Sequence, residues 1–253
     1  MSLLKPNVTV ITVCYNEIDC IRRCMESVWR QTYDNIQYVV VDGASTDGTA
    51  AIIEAYAADL FYYVSEVDSG IFPAMNKALA AAGDGIVYFL NADDYFFSDD
   101  TVRDAVDYFV NDPDIELLSG RVRFFNTPLR DGTSYERVDF SYASKLELYR
   151  RPIPQQCVFA RRSLFNELGH YDERYRMCAD YEWLIRALDR GTRIKQVDTY
   201  FCHFDYRGIS YTENAKRKRE KNLIILRNSS PRELLCYILA GLVALPGRIF
   251  HGR

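Results

Sequence analysis

The segment Asn91-Ala92-Asp93-Asp94 sets two adjacent carboxylates at the end of an apolar run, Tyr88-Phe89-Leu90. Residues of that type are driven into a sheet, so the run delivers Asp93 and Asp94 to its carboxyl edge, where open α/β sheets bind their ligands. Neighbouring like charges repel unless a cation stands between or in front of them. Mg²⁺ or Mn²⁺ suits oxygen donors and keeps coordination positions for phosphate oxygens. A strand-to-helix turn capped by Asp would contain the same dipeptide, and the pair alone does not separate the two readings.

Other segments have the same design. Val8-Thr9-Val10-Ile11-Thr12-Val13-Cys14 runs into Tyr15-Asn16-Glu17, and Tyr38-Val39-Val40-Val41 ends at Asp42 before a Gly/Ser/Thr turn. A nucleotide base needs a flat apolar contact and a polar group that reads its edge. Tyr15 can supply the ring and Asp42 can accept a base N–H, although a loop aromatic and a turn-forming Asp are ordinary features too. Glu17 is either part of that site or a first-turn helix acid favoured by the helix dipole. Further along, Ala179-Asp180-Tyr181-Glu182-Trp183 opens a helix with two acids.

Together with Ser65-Glu66-Val67-Asp68-Ser69-Gly70-Ile71-Phe72-Pro73-Ala74-Met75-Asn76-Lys77, these segments occur in an order that resembles the family 2 glycosyltransferases of GT-A fold, over about residues 8 to 210. The resemblance implies sugar transfer from a nucleotide diphosphate donor with inversion at the anomeric carbon. It implies that Tyr15, Glu17, Asp42, Asp68, Asn91 and Asp93 form the nucleotide-sugar site, with a UDP-sugar as the leading donor class; Asn76 is either a further donor contact or on the solvated face of its helix, and Arg207 suits the diphosphate because guanidinium pairs bidentately with phosphate. Asp93 and Asp94 correspond to the metal-binding carboxylates, and His203 is either a third ligand, as in some GT-A enzymes, or a partly buried histidine. Asp180 corresponds to the catalytic base, with Glu182 as the fallback. Gln155 and Gln156 fall beside the acceptor and donor phosphates, or else on a proline-bent loop entering an edge strand.

Three positions depart from the family pattern. Asn91 stands where the first Asp of an Asp-x-Asp motif is usual, Pro73 replaces an Asp, and Ala179 replaces an acid beside Asp180. Pro73 suits the first turn of a helix. Asp68 is the candidate for the carboxylate that Pro73 removes.

The elements that must position these residues alternate along the chain. Ile18, Ile21, Met25, Val28 and Trp29 recur at helical spacing and predict a helix over 18 to 31. Further helices are expected over 48 to 58, 73 to 82 and 99 to 111, with strands near 61 to 65 and 86 to 90. Strand-helix alternation predicts right-handed crossovers and a mainly parallel sheet with helices on both faces. Two short β runs are expected on either side of Gly120. Ser144-Lys145-Leu146-Glu147 has the capping-box pattern, and a helix near 180 to 190 should stop at Gly191 before a strand over 193 to 201.

A chain of 253 residues with 48% apolar content can bury a substantial core. The expected parse is a GT-A catalytic domain over 1–212 and a basic, amphipathic helical tail over 213–253. Seven cysteines, an odd number without a Cys-x-x-Cys pair, predict reduced and mostly buried thiols. From Lys216 onward nine Lys/Arg face two Glu, whereas residues 1–215 carry 22 basic against 33 acidic side chains, so the body is a poor nucleic-acid partner. Lys216-Arg217-Lys218-Arg219-Glu220-Lys221 precedes an uncharged stretch from Leu234 to Gly247, too short to span a bilayer. That combination suits an anionic membrane surface, and a helix packed on the domain is the alternative.

No hydrophobic presequence precedes Lys5-Pro6, which predicts a cytoplasmic enzyme, peripheral at the inner face of the plasma membrane. Family resemblance implies a lipid-linked saccharide acceptor in surface polysaccharide synthesis. A sugar nucleotidyltransferase would need a Gly-rich phosphate loop where Tyr15-Asn16-Glu17 stands. A non-catalytic scaffold is the other alternative, suggested by Asn91, Pro73 and Ala179.

Overall fold

The computed structural model describes residues 5–125, 135–136, 144–205 and 214–243. Among them, nine strands join in one sheet. Its order is β3 (Tyr62–Ser65), β2 (Ile36–Asp42), β1 (Val8–Cys14), β4 (Ile86–Phe89), β8 (Val158–Arg161), β6 (Leu117–Phe125), β9 (Ile194–Asp205) and β5 (Tyr95–Phe96), with β7 (Tyr135–Glu136) on β6. The strands β3, β2, β1 and β4 are mutually parallel, as alternation requires. β8 enters antiparallel between β4 and β6, so the chain after Pro154 leads into an interior strand and not an edge. β6 and β9 are parallel to each other.

Periodicity located most helices. α1 (Ile21–Trp29), α2 (Thr49–Glu54), α3 (Ile71–Ala81) and α4 (Thr101–Asn111) fall inside or within two residues of their expected spans. Pro73 is the third residue of α3, where its missing N–H costs nothing. α3 packs on β1 and β2, and α4 lies against β6 and β9. β1 and β4 are buried along their whole lengths, which explains runs of Val and Ile without polar alternation.

Gly120 does not divide two strands. β6 runs through it with a register shift against β9, because a Cβ there would come within 2.6 Å of the Phe201 ring and the Thr199 carbonyl. The two chains approach so closely that only glycine fits, and the irregularity is a bulge and not a turn.

The Ser half of the capping box is present: Ser144 Oγ accepts the Glu147 N–H (3.3 Å) at the start of α5 (Lys145–Arg150). After α6 (Arg162–Leu168), α7 (Ala179–Arg190) ends at Gly191 in the left-handed conformation (φ 80°). α8 (Asn214–Asn228) and α9 (Pro231–Val243) follow. α8 buries Ile224 and Ile225 against the body, so the packed unit continues past residue 212. α9 is tied down where it begins. Lys145 Nζ bonds the Asn228 carbonyl (3.0 Å) and pairs with Glu233 (3.3 Å), while Tyr149 meets Tyr237 edge-on. All seven cysteines are free, five of them buried.

Candidate active site

The loops leaving β1 and β2 are laced together at the carboxyl edge. Asn16, in the left-handed region (φ 57°), donates its N–H to Ser45 Oγ (2.8 Å), and its Oδ1 accepts the Thr46 N–H (2.9 Å). Glu17 N–H bonds Thr49 Oγ1 (2.8 Å). Tyr15, next in the chain after β1, is 61% exposed. Asp42 is fully buried and accepts the Ser45 N–H (3.0 Å) and the Ser45 and Ser65 hydroxyls. Its carboxylate therefore shapes this end of the sheet. Asp68 is paired to Lys77, which also reaches Glu66 (2.7 Å).

The chain between β4 and β5 carries the Asn-Ala-Asp-Asp segment. Asp94 is wholly buried; one oxygen accepts the Asp205 N–H (2.8 Å), and the other has no hydrogen-bonding partner among the described residues. Burial first, then the Asp93 charge beside it, holds the Asp94 carboxyl well above the usual carboxylate range. Asp93 is half-buried, and its carbonyl accepts from Arg23 Nη2 (2.9 Å). The Arg23 guanidinium lies over the Tyr95 ring (4.5 Å) and the Phe125 ring (5.1 Å).

His203 does not complete this group. Its ring is sandwiched between Tyr95 (4.5 Å, 15°) and Phe97 (5.0 Å, 22°), and burial followed by Arg123 and Arg23 lowers its basicity. No set of three or more His, Cys, Asp or Glu side chains converges as a metal cage among the described residues. Of the two readings of His203, its surroundings match the partly buried histidine, stacked on aromatic rings.

A cavity of about 520 Å³ opens beside this segment. It is walled by the start of α3, by Asn91, by the turn from Pro152 to Gln156, by Arg176 to Tyr181, and by α8. It brings four of the expected residues together: Asn91, Gln155, Gln156 and Asp180. Asn91 Oδ1 is buried without a partner. Gln155 Nε2 donates to the Tyr171 hydroxyl (2.5 Å), and the Gln156 carbonyl accepts from Tyr88 (2.7 Å).

Asp180 lies in the first turn of α7, on the cavity wall. Burial pushes its carboxyl up to about 6, against the pull of the first-turn N–H groups of Asp180 and Tyr181. Glu220 raises it further and Arg217 lowers it. A carboxylate titrating near neutrality is fitted to accept a proton. Glu182 is not a second candidate of equal standing. It is paired with Arg186 (2.9 Å), which in turn holds the carbonyls of Leu168, Gly169 and His170.

Asn76 has a different task from the donor contact expected of it. Its amide donates to the Tyr171 carbonyl (2.9 Å) and to Glu173 (2.9 Å), and its oxygen accepts the Tyr171 N–H (3.0 Å). It fastens the loop that carries the Gln155 partner. Arg207 lies outside the described residues.

Sequence reading missed Tyr171, Arg23 and the α8 contribution. Tyr171 and Arg23 stand in no motif. The α8 residues did give a signal, the basic run at 216–221, but charge alone did not reveal which face would turn inward.

The family model described as Glycosyl transferase family 2 matches residues 9–213. An uncharacterized glycosyltransferase of Mycobacterium tuberculosis (strain ATCC 25618 / H37Rv) is 30% identical over 81% of this chain and 77% of its own. A PGL/p-HBAD biosynthesis glycosyltransferase of Mycobacterium bovis (strain BCG / Pasteur 1173P2) is 31% identical over 72% and 70%. Among solved structures, the mannosyltransferase PcManGT from Pyrobaculum calidifontis, in complex with GDP-Man and Mn2+, has a TM-score of 0.70 at 23% identity, covering 94% of this chain and 70% of that one. S. aureus TarS 1-349 in complex with UDP has a TM-score of 0.66 at 22% identity, covering 87% of this chain. This chain spans 65% of that TarS chain and 39% of the longer TarS structure. These likenesses in structure establish the GT-A type of fold.

Proposed function

Because the chain belongs to glycosyl transferase family 2 and is a glycosyltransferase, we propose that it transfers a sugar from a nucleoside diphosphate donor, in one inverting displacement assisted by Asp180. The observation that carries this reading is the Asp180 carboxyl, raised to about 6 on the wall of a cavity that Asn91 also lines. In the displacement, an acceptor hydroxyl oxygen attacks the anomeric carbon. Its proton passes to Asp180, and the bond from that carbon to the diphosphate oxygen breaks, the electron pair leaving with the nucleoside diphosphate. Burial that disfavours the ionised carboxylate favours the neutral acid produced by this step.

The donor would lie across the ends of β2, β1 and β4. Tyr15 offers its exposed ring to the base. Asp42 orients the Ser45 and Ser65 hydroxyls beneath it, and the Asn16 and Glu17 backbone fixes the loop. The residues fit a divalent cation: a buried Asp94 oxygen without a partner beside Asp93 is a hard-oxygen donor set short of positive charge. Asp93, the more accessible of the two, and Asp94 would hold Mg²⁺ or Mn²⁺. When bound, the cation neutralises diphosphate charge. The Mn2+ in the mannosyltransferase complex supports this reading, and the UDP complex of TarS supports a UDP-sugar donor.

The acceptor reading is a lipid-linked saccharide in surface polysaccharide synthesis, with the enzyme held at the inner face of the plasma membrane. The M. bovis relative, named for PGL/p-HBAD biosynthesis, supports it. So does α9, which exposes Leu235 (55%), Ile238 (50%) and Leu239 (51%) on one stripe, while no helix among the described residues is long and apolar enough to cross a membrane. A panel of nucleotide sugars with Mn²⁺, read by thermal stabilisation, should single out one donor. Anomeric NMR of the transfer product should then show inversion. Retention of configuration would contradict the single displacement.

A further inference from the structure

α8 turns a charged face towards the cavity. Arg217, Lys218 and Lys221 line it together with Arg176, and Asp180 is the one acidic side chain among its described lining residues. Their register is fixed. Glu220, on the same helix, accepts the N–H groups of Arg176 (2.9 Å), Met177 (2.7 Å) and Cys178 (2.7 Å), and Ile224 and Ile225 are buried a turn later. Lys221 Nζ lies 5.6 Å from the Tyr181 ring centre, one residue from Asp180. The facing wall is apolar, built from Ile71, Phe72, Pro152, Ile153 and Pro154.

Four cations on the wall of a partly apolar cavity repel one another, so an anion bound among them relieves that repulsion and makes charge-assisted hydrogen bonds. They stand on the Asp180 side, where the attacking hydroxyl must lie. The Asp93 and Asp94 pair belongs to the segment after β4 and does not line this cavity. A ligand that satisfies both walls carries a phosphate group at one end and hydrocarbon beside it.

We propose that Arg217, Lys218, Lys221 and Arg176 form an anion subsite for a phosphate or diphosphate carried by the acceptor, with the apolar wall taking the adjoining hydrocarbon. This rests on Asp180 marking the acceptor side of the site. The phosphate that fills the subsite could instead be the donor's own, and binding measurements separate the two sources.

Calorimetry on the full-length chain would compare farnesyl diphosphate, farnesol and UDP with Mn²⁺. Farnesyl diphosphate should bind, and bind less tightly as salt is raised, whereas farnesol should not bind measurably. A K218Q/K221Q double variant should bind farnesyl diphosphate about tenfold or more weakly, with UDP affinity within about twofold of the parent. A K218R/K221R variant should retain farnesyl diphosphate binding, which excludes misfolding as the cause of the loss. Equal binding of farnesol, or a loss of UDP affinity with farnesyl diphosphate binding intact, would overturn the proposal. If the parent chain bound no nucleotide under any condition yet gave the expected farnesyl diphosphate results, the donor reading would fall and the acceptor subsite would stand.

Discussion

Asp94 is wholly buried and Asp180 partly so, and their surroundings assign these two carboxylates different work. Asp94 anchors Asp205 with one oxygen and leaves the other unpaired beside Asp93, an arrangement that a cation or a proton must resolve. Chelation with EDTA should therefore abolish transfer, and Asp93→Ala should lower turnover about 10²-fold or more. Full activity in excess chelator would remove the metal from the mechanism. For Asp180 the sign of the stability effect follows from its raised titration. The folded state binds a proton more tightly than the unfolded chain, so stability is fully present below about pH 4 and is lost as pH rises through about 6. Asp180→Asn should then melt at a higher temperature than the parent at pH 7, and at about the same temperature at pH 4. A lower melting temperature at pH 7 would mean that the carboxylate is a structural anchor. Glu182→Gln should cost stability by loosening Arg186 and the three carbonyls it holds, without moving the pH dependence of turnover.

The segment Arg176–Cys178 needs an acceptor for three successive N–H groups, and Glu220 supplies it from another helix. This contact ties α8 to the start of α7 and so to the position of Asp180. Glu220→Ala should lower stability by about 1–3 kcal/mol and reduce turnover more than donor affinity. The split between kcat and donor KM checks it, since equal loss in both would deny the positioning role. Ser144→Ala should cost about 1 kcal/mol, read by urea unfolding, with no effect on turnover. Local elements of this kind were legible: periodicity found α1 to α4, Ser-x-x-Glu found the start of α5, and Gly191 marked the end of α7. Gly120 misled because a glycine in a β run marks a turn or a close approach, and only the neighbouring chain, here Phe201 and Thr199, decides which. Of the two readings of the chain after Pro154, the one with an edge strand is excluded because β8 pairs on both sides. Strand order is a long-range property that residues 152–161 do not carry.

Across the molecule, the residues that line the cavity come from segments spread from Ile71 to Lys221, and chain order shows that they form a set without showing which of them touch. Asn76 illustrates the gap, since the same amide that a motif offers to a donor is used here to clasp Tyr171. The C-terminal region joins two roles that composition could only present as alternatives. α8 packs into the body through Ile224 and Ile225, while α9 is attached through Leu234 and Tyr237 and leaves Leu235, Ile238 and Leu239 outside. Replacing those three with Ser should release the enzyme from anionic vesicles without lowering its melting temperature, because they are not part of the packed core. Unchanged co-sedimentation with vesicles would refute the docking surface. The central claim, that Asp180 takes the acceptor proton in an inverting transfer, is tested most directly by single-turnover transfer rates of the parent and Asp180→Asn across pH, with donor affinity measured alongside. The parent rate should fall on the acid side with a midpoint near 6, and Asp180→Asn should be slower by about 10² to 10⁴ with donor affinity nearly unchanged and that acid limb gone. A variant with near-parental rate, or one that keeps the same acid limb, would contradict the assignment.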